Sequence, residues 1–236
     1  MASADLAGCT IAFDLDGTLV DSAPDIHRAL AKIMAQENLP PASLEDVRKY
    51  VGQGARTLIV RAAAVHGVLP EAAYLDRLTD DFTQIYASDI AALTRPWPGV
   101  ETALGHLRDA GAIFCVCTNK RGYLSNQLLD ELNMSHWFAA VVGADMVERK
   151  KPHGDHFIAA VRAAKGDPAR ALMVGDSAAD VGSAKACNAP VALVSFGYTD
   201  TAPEQLGADA VFSHFDELPD LARKLLAPKN SGRPGY

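Results

Sequence analysis

The chain has 236 residues, with 22 Lys and Arg against 29 Asp and Glu, for a formal net charge of -7. That length suits one large domain, or one domain with a modest insertion, and leaves room for a sizeable core. No basic patch dominates, so neither nucleic acid nor an anionic membrane is expected as a partner.

No apolar stretch approaches the ~18 residues of a membrane span. The start, Met1-Ala2-Ser3-Ala4-Asp5, lacks a basic region followed by an apolar core, and a cytoplasmic protein is expected. Four cysteines are few for this length. Cys115 and Cys117 fall inside an apolar run and read as buried strand residues, not as a Cys-x-x-Cys site.

In chain order, the first element is the apolar run Cys9 to Phe13, a candidate buried strand that ends at Asp14-Leu15-Asp16-Gly17. From about Asp21 to Ala92 the pattern turns helical. Ser22-Ala23-Pro24 opens a helix with proline in its first turn. Ser43 caps a second. Further helical patterns cover 55–66 and 70–87. Thr94 to Gly99 marks a return, and a helix then runs from Pro98 to about Ala110, where Gly111 stops it.

Strands are predicted over 113–117, 139–142, 171–174 and 191–194, separated by helices over 123–132, from about Asp155 to before Gly166, and from about Ala178. The alternation predicts an α/β fold, a doubly wound, Rossmann-like parallel sheet, with an inserted α-helical cap. The expected division is a core over 1–20 and 93–228, a cap over 21–92, and a mobile tail over 229–236.

In such sheets ligands bind beyond the carboxyl ends of the strands. Asp14 and Asp16, then Thr118, Asn119 and Lys120, then Lys151, then Gly175-Asp176-Ser177-Ala178-Ala179-Asp180 all follow predicted strands. The fold would therefore gather them on one edge. Phosphoryl transfer is the chemistry these residue types share. Carboxylates bind a hard cation such as Mg²⁺, and a lysine neutralises phosphate oxygens. A threonine donates one hydrogen bond, and backbone N–H groups cradle an anion. One carboxylate can attack phosphorus while another moves protons. A calcium loop is a poor match for 14–17, because a strand precedes it and its glycine comes too early. His153 and His156 flank Asp155 with metal-like spacing, but no third nitrogen or sulfur ligand is evident. They are read as a polar helix start.

With these motifs in order along nearly the whole chain, the sequence resembles the haloacid dehalogenase superfamily, specifically its phosphatases with a small helical cap. The resemblance implies Asp14 as nucleophile and Asp16 as general acid and then base. It implies Thr118, Asn119 and Lys151 as phosphate binders. Mg²⁺ would be held by Asp14, the Asp16 backbone carbonyl and Asp176, with Asp180 supporting the metal site from outside. A small-molecule phosphate ester would be the substrate. Asp16 excludes the dehalogenase branch. Where family members often carry Lys-Pro-x-Pro, this chain reads Lys151-Pro152-His153-Gly154, and local loop flexibility is expected.

Asp16 to Ile26, Tyr50 to Ala55, and Phe196-Gly197-Tyr198 after the last core strand resemble phosphoglycolate phosphatases. A bacterial-type sugar-phosphate phosphatase, including one acting on N-acetylmuramate 6-phosphate, is the nearest alternative. β-Phosphoglucomutases match less well, because Arg56 is displaced by one residue from their cap arginine. A non-catalytic binding module on the same core is the reading from a different class, and the intact acidic and lysine motifs argue against it. In the cap, Gly52, Gly54 and Arg56 are the candidate substrate contacts, through a loop open to close backbone approach and a guanidinium in the next helix's first turn.

Overall fold

A computed structural model describes residues 5–227. The strands β1 (Thr10–Phe13), β4 (Ile113–Thr118), β5 (Ala140–Gly143), β6 (Ala171–Gly175), β7 (Val191–Val194) and β8 (Ala210–Phe212) form a six-stranded sheet in the order β5-β4-β1-β6-β7-β8. All its pairings are parallel. A second, two-stranded antiparallel ribbon joins β2 (Val20–Asp21) to β3 (Arg95–Pro96).

The period-2 alternation of each strand explains why both faces are covered. Ile11, Phe13, Phe114, Val116, Leu172, Val174, Ala192 and Val194 belong to one buried cluster. Ala12, Cys115, Cys117, Met173, Val191 and Leu193 belong to the other. Helices α5 (Val100–Asp109), α6 (Gly122–Glu131) and α9 (Leu218–Leu226) bury Leu104, Leu128 and Leu218 in the first. Helices α7 (Gly154–Ala163) and α8 (Ala178–Lys185) bury Phe157, Val161 and Ala184 in the second.

Between β2 and β3 the chain forms α1 (Ala23–Gln36), α2 (Leu44–Tyr50), α3 (Ala55–Ala64) and α4 (Ala72–Ala87). Ile26, Leu30, Ile33 and Met34 recur at helical spacing and bury one face of α1, which packs on α4. Each such side chain contributes roughly 1.5–3 kcal/mol on burial. Ser43 caps α2 as predicted, its hydroxyl accepting from the Asp46 N–H at 3.1 Å. No described helix is long and apolar enough to cross a membrane.

The structure corrects the sequence reading in three places. The sheet extends beyond 191–194 by β8, so Phe196-Gly197-Tyr198 follows the penultimate strand. The helix α9 was not anticipated. Gly154 does not loosen its loop. It opens α7, and a Cβ there would lie 2.4 Å from Cys187 Sγ and 3.2 Å from Ala186 Cβ. Close packing on the end of α8 therefore demands glycine where proline would collide. The predicted tail, 229–236, lies outside the described residues.

Candidate active site

Because all six strands of the main sheet run parallel, their carboxyl ends share one edge. Asp14 continues β1, its N–H donating to the Val174 carbonyl at 2.9 Å. The chain then turns sharply. The Leu15 carbonyl accepts from the N–H groups of Thr18, Leu19 and Val20. Gly17 adopts φ +87°, and a Cβ there would lie 2.4 Å from Asp176 Oδ2. Only glycine lets this turn cross so close to the end of β6.

Asp14, Asp176 and Asp180 are all buried, and one oxygen of each lies within 4.8 Å of the others. Lys151 Nζ stands among them, 2.9 Å from Asp14 Oδ1 and 2.7 Å from Asp180 Oδ1. Burial works against its charge, but those two carboxylates outweigh it and hold the ammonium protonated. Lys150 is exposed, with Nζ on the Gln53 carbonyl at 3.2 Å. Lys151 is thus the inward-pointing lysine. Burial pushes the Asp14 carboxyl up to about 6, against the pull of Lys151. Burial raises Asp176 as well, with Asp14 and Asp180 adding to it.

Three carboxylates against one ammonium leave excess negative charge in a desolvated site. Asp14 Oδ1 makes no well-directed hydrogen bond despite its contact with Lys151. The donors are all hard oxygens. The site therefore fits a cation such as Mg²⁺. Asp180 is the best satisfied of the three. Its Oδ2 accepts from the N–H groups of Asp176 and Ser177 and from Ser177 Oγ, the last at 2.7 Å. Its Oδ1 faces Lys151. Asp176 Oδ2 accepts from the Tyr198 N–H at 2.6 Å, and Oδ1 from Thr18 Oγ1 at 3.3 Å.

Asp16 is two residues from Asp14 but faces elsewhere. Its carboxylate accepts from Ser22 Oγ at 2.6 Å and from Lys120 Nζ at 2.8 and 2.9 Å. It is not among the three clustered carboxylates, so an Asp16 contribution to a metal would come from its backbone. Thr118 ends β4 and is buried, and its Oγ1 accepts from the Lys120 N–H at 3.2 Å. Asn119 donates from Nδ2 to the carbonyls of Gly52 at 3.0 Å and Lys151 at 3.2 Å, which ties the α2–α3 loop to the sheet edge.

His156 is buried, not part of a polar helix start. Its Nδ1 accepts from the Lys151 N–H at 3.2 Å, and its Nε2 lies 3.0 Å from the Val142 carbonyl. The ring holds the lysine's backbone. Burial pushes its pKa down to about 4.

A cavity of about 600 Å³ opens between the sheet edge and the helical insertion. Asp14, Asp16, Thr118 and Asn119 line it from one side, and Gly52, Gly54 and Arg56 from the other. Gly52 and Gly54 have φ of +95° and +97°. Arg56 is exposed and its Nε pairs with Asp76 at 3.1 Å.

The sequence reading missed several contacts. Ser22 reads in the sequence only as part of a helix start, yet its hydroxyl serves Asp16 and makes no cap bond. Lys120 follows a predicted strand, and the motifs assign it no role. Nothing in the sequence around Tyr86 marks it as a cavity residue. Tyr198 was a motif match only. Its hydroxyl also donates to Asp21 and accepts from the Ala23 N–H at 2.9 Å, joining the loop after β7 to the first turn of α1.

A family model of haloacid dehalogenase-like hydrolases matches residues 10–188. The chain is 48% identical to a phosphoglycolate phosphatase of Caulobacter vibrioides, over 94% of both chains. It is 41% identical to one of Mesorhizobium japonicum, over 92% of this chain and 96% of that one. A crystal structure of a predicted phosphoglycolate phosphatase from Haemophilus somnus superposes with a TM-score of 0.84 at 27% identity. That match covers 92% of this chain and 98% of the other.

Proposed function

This chain belongs to the haloacid dehalogenase-like hydrolases, and from that membership we propose that it hydrolyses 2-phosphoglycolate through a phosphoryl ester on Asp14. The relatives named above support the substrate. One observation supports the chemistry most strongly. Asp14 and Asp16 line the same cavity yet lie in different electrostatic settings, Asp14 with Lys151 and two further carboxylates, Asp16 with Lys120 and a serine hydroxyl. Two carboxylates in different surroundings can take different roles.

In this reading the phosphoryl group sits against Asp14, where Lys151 offsets the charge of its oxygens and the Thr118 hydroxyl donates to one of them. Asn119 keeps the Lys151 carbonyl and the cap loop in place. An oxygen of Asp14 attacks phosphorus, the bond from phosphorus to the ester oxygen breaks, and Asp16 gives that oxygen a proton. Asp16 then takes a proton from the water that attacks the phosphorylated Asp14, so that phosphate leaves and Asp14 is restored. Asp14, the Asp16 backbone carbonyl and Asp176 would hold Mg²⁺, with Asp180 fixing Lys151 and the turn beneath Asp176. Bound there, Mg²⁺ would screen the phosphate's charge from the attacking carboxylate.

The helical segment 21–92 is read as the cap of this site, and 1–20 with the residues from 93 onward as its core. Core residues recognise the phosphoryl group, and the cap with the sheet edge facing it meets what that group is attached to. The test is turnover across a panel of phosphate monoesters with Mg²⁺ and then with EDTA. The reading predicts 2-phosphoglycolate as the preferred ester and no turnover in EDTA. Hydrolysis of none of the esters, or full activity without metal, contradicts it.

A further inference from the structure

We propose that Lys120 and Tyr86 form a subsite for a carboxylate carried on the leaving group, next to the ester carbon. The proposal rests on the phosphatase reading above and names what selects the substrate within it.

Four cations line the cavity, namely Arg56, Lys120, Arg121 and Lys150. Arg56 is exposed and held by Asp76. Lys150 is exposed and bound to a backbone carbonyl, and Arg121 is exposed. The Lys120 side chain is only 7% exposed. Its ammonium sits between the Asp16 carboxylate, at 2.8 Å, and the face of the Tyr86 ring, 4.6 Å from the centroid. A charge so desolvated acts on a neighbour far more strongly than one in solvent.

Tyr86 supplies the second observation. It is 1% exposed, lines the cavity, and its hydroxyl makes no well-directed hydrogen bond among the described residues. Buried hydroxyls are almost always paired. The neighbouring hydroxyls on α4 obey that rule. Thr79 donates to the Leu75 carbonyl and Thr83 to the Thr79 carbonyl, both at 2.7 Å. Tyr86 thus presents a hydroxyl with no well-directed partner among the described residues, beside the buried Lys120 ammonium.

The position fits one class of substrate. Asp16 delivers its proton to the ester oxygen, and Lys120 lies within hydrogen-bonding distance of Asp16. A carboxyl group whose carbon is two bonds from that oxygen reaches the same ammonium. Lys120 comes from the sheet edge and Tyr86 from the last helix of the insertion, so the subsite exists only where the two meet.

The experiment compares kcat/KM for 2-phosphoglycolate and for ethyl phosphate, in which a methyl replaces the carboxylate. Wild type should prefer 2-phosphoglycolate. Lys120→Met should lower that preference roughly a hundredfold, and Tyr86→Phe roughly tenfold, the range for bonds to a charged group. Lys120→Arg should keep more of it than Lys120→Met. Tyr86→Phe removes one oxygen and keeps the ring, so it reads the subsite even if Lys120→Met folds poorly. Equal losses on both esters, or a wild type with no preference between them, overturn the subsite and leave the phosphatase standing. Hydrolysis of neither ester overturns the phosphatase reading itself.

Discussion

Asp25 holds Thr94 through one carboxylate oxygen. Oδ2 accepts from the Thr94 N–H and from Thr94 Oγ1, both at 2.8 Å, and from the Leu93 N–H at 2.9 Å. Asp25 is fully buried, and Arg28 approaches its other oxygen at 3.3 Å. The contact joins the first turn of α1 to the residues just before β3. It therefore fixes both chain crossings between the helical insertion and the sheet. Asp25→Ala leaves those donors unpaired and should cost about 3–5 kcal/mol in urea unfolding. A loss under about 1 kcal/mol would show that the β2–β3 ribbon fixes the crossings without it.

Gly154 lies so close to Cys187 that any side chain meets the sulfur, 2.4 Å from the position of a Cβ. Gly154→Ala should destabilise by about 1–3 kcal/mol through overpacking. Adding Cys187→Ala should recover most of that loss, since it removes the atom in the way. Unfolding free energies of the two single variants and the double test the coupling. Additive losses would place the cost of Gly154→Ala in the backbone instead.

His156 is buried neutral, with a pKa near 4 in place of its ordinary 6.5. Between those values the unfolded chain binds more protons than the folded one. Its contribution to stability is therefore complete above about pH 6.5 and is lost as the pH falls toward 4, by roughly 3 kcal/mol in all. Asp14 and Asp176, whose pKa values are raised, favour the folded state as the pH falls, but they do so equally in a variant. His156→Gln has no such titration. The stability difference between wild type and variant, from urea unfolding at several pH values, should narrow or reverse between pH 7 and 4. Parallel curves would contradict the buried neutral ring.

The parts legible in the sequence were those with a strong period or a fixed spacing. The runs 113–117, 171–174 and 191–194 are apolar on both faces, and only a covered parallel strand explains that. The ends of 113–117 and 171–174, with those of 9–13 and 139–142, place Thr118, Asp176, Asp14 and Lys151 on one edge from the sequence. β8 escaped because three residues, Ala210-Val211-Phe212, are too short to show a period. Lys120 and Tyr86 escaped for another reason. They are 34 positions apart, and their meeting depends on how the insertion seats on the sheet, which no local pattern encodes. Ser22 illustrates a third case, since a helix-start serine is the common reading and only the fold turns its hydroxyl to Asp16.

Asp16 as proton donor predicts a dependence on the leaving group. Asp16→Asn should lose most on alkyl esters such as 2-phosphoglycolate, whose alkoxide leaves poorly, by roughly a hundredfold or more in kcat. p-Nitrophenyl phosphate needs little help in leaving and should lose less. Steady-state rates on both esters decide the matter. Equal losses would move Asp16 out of the proton-transfer role and leave it as the partner of Lys120.

The ester on Asp14 is the claim on which the rest of the chemistry depends. The direct measurement is an acid quench of enzyme turning over 2-phosphoglycolate with Mg²⁺, followed by proteolysis and peptide mass spectrometry. The peptide containing Asp14 should carry one phosphoryl group, and fragmentation should locate it on that aspartate and not on Asp16. Asp14→Asn protein should give no phosphorylated peptide and no turnover. An active Asp14→Asn enzyme, or a phosphoryl group on any other residue, would contradict the account.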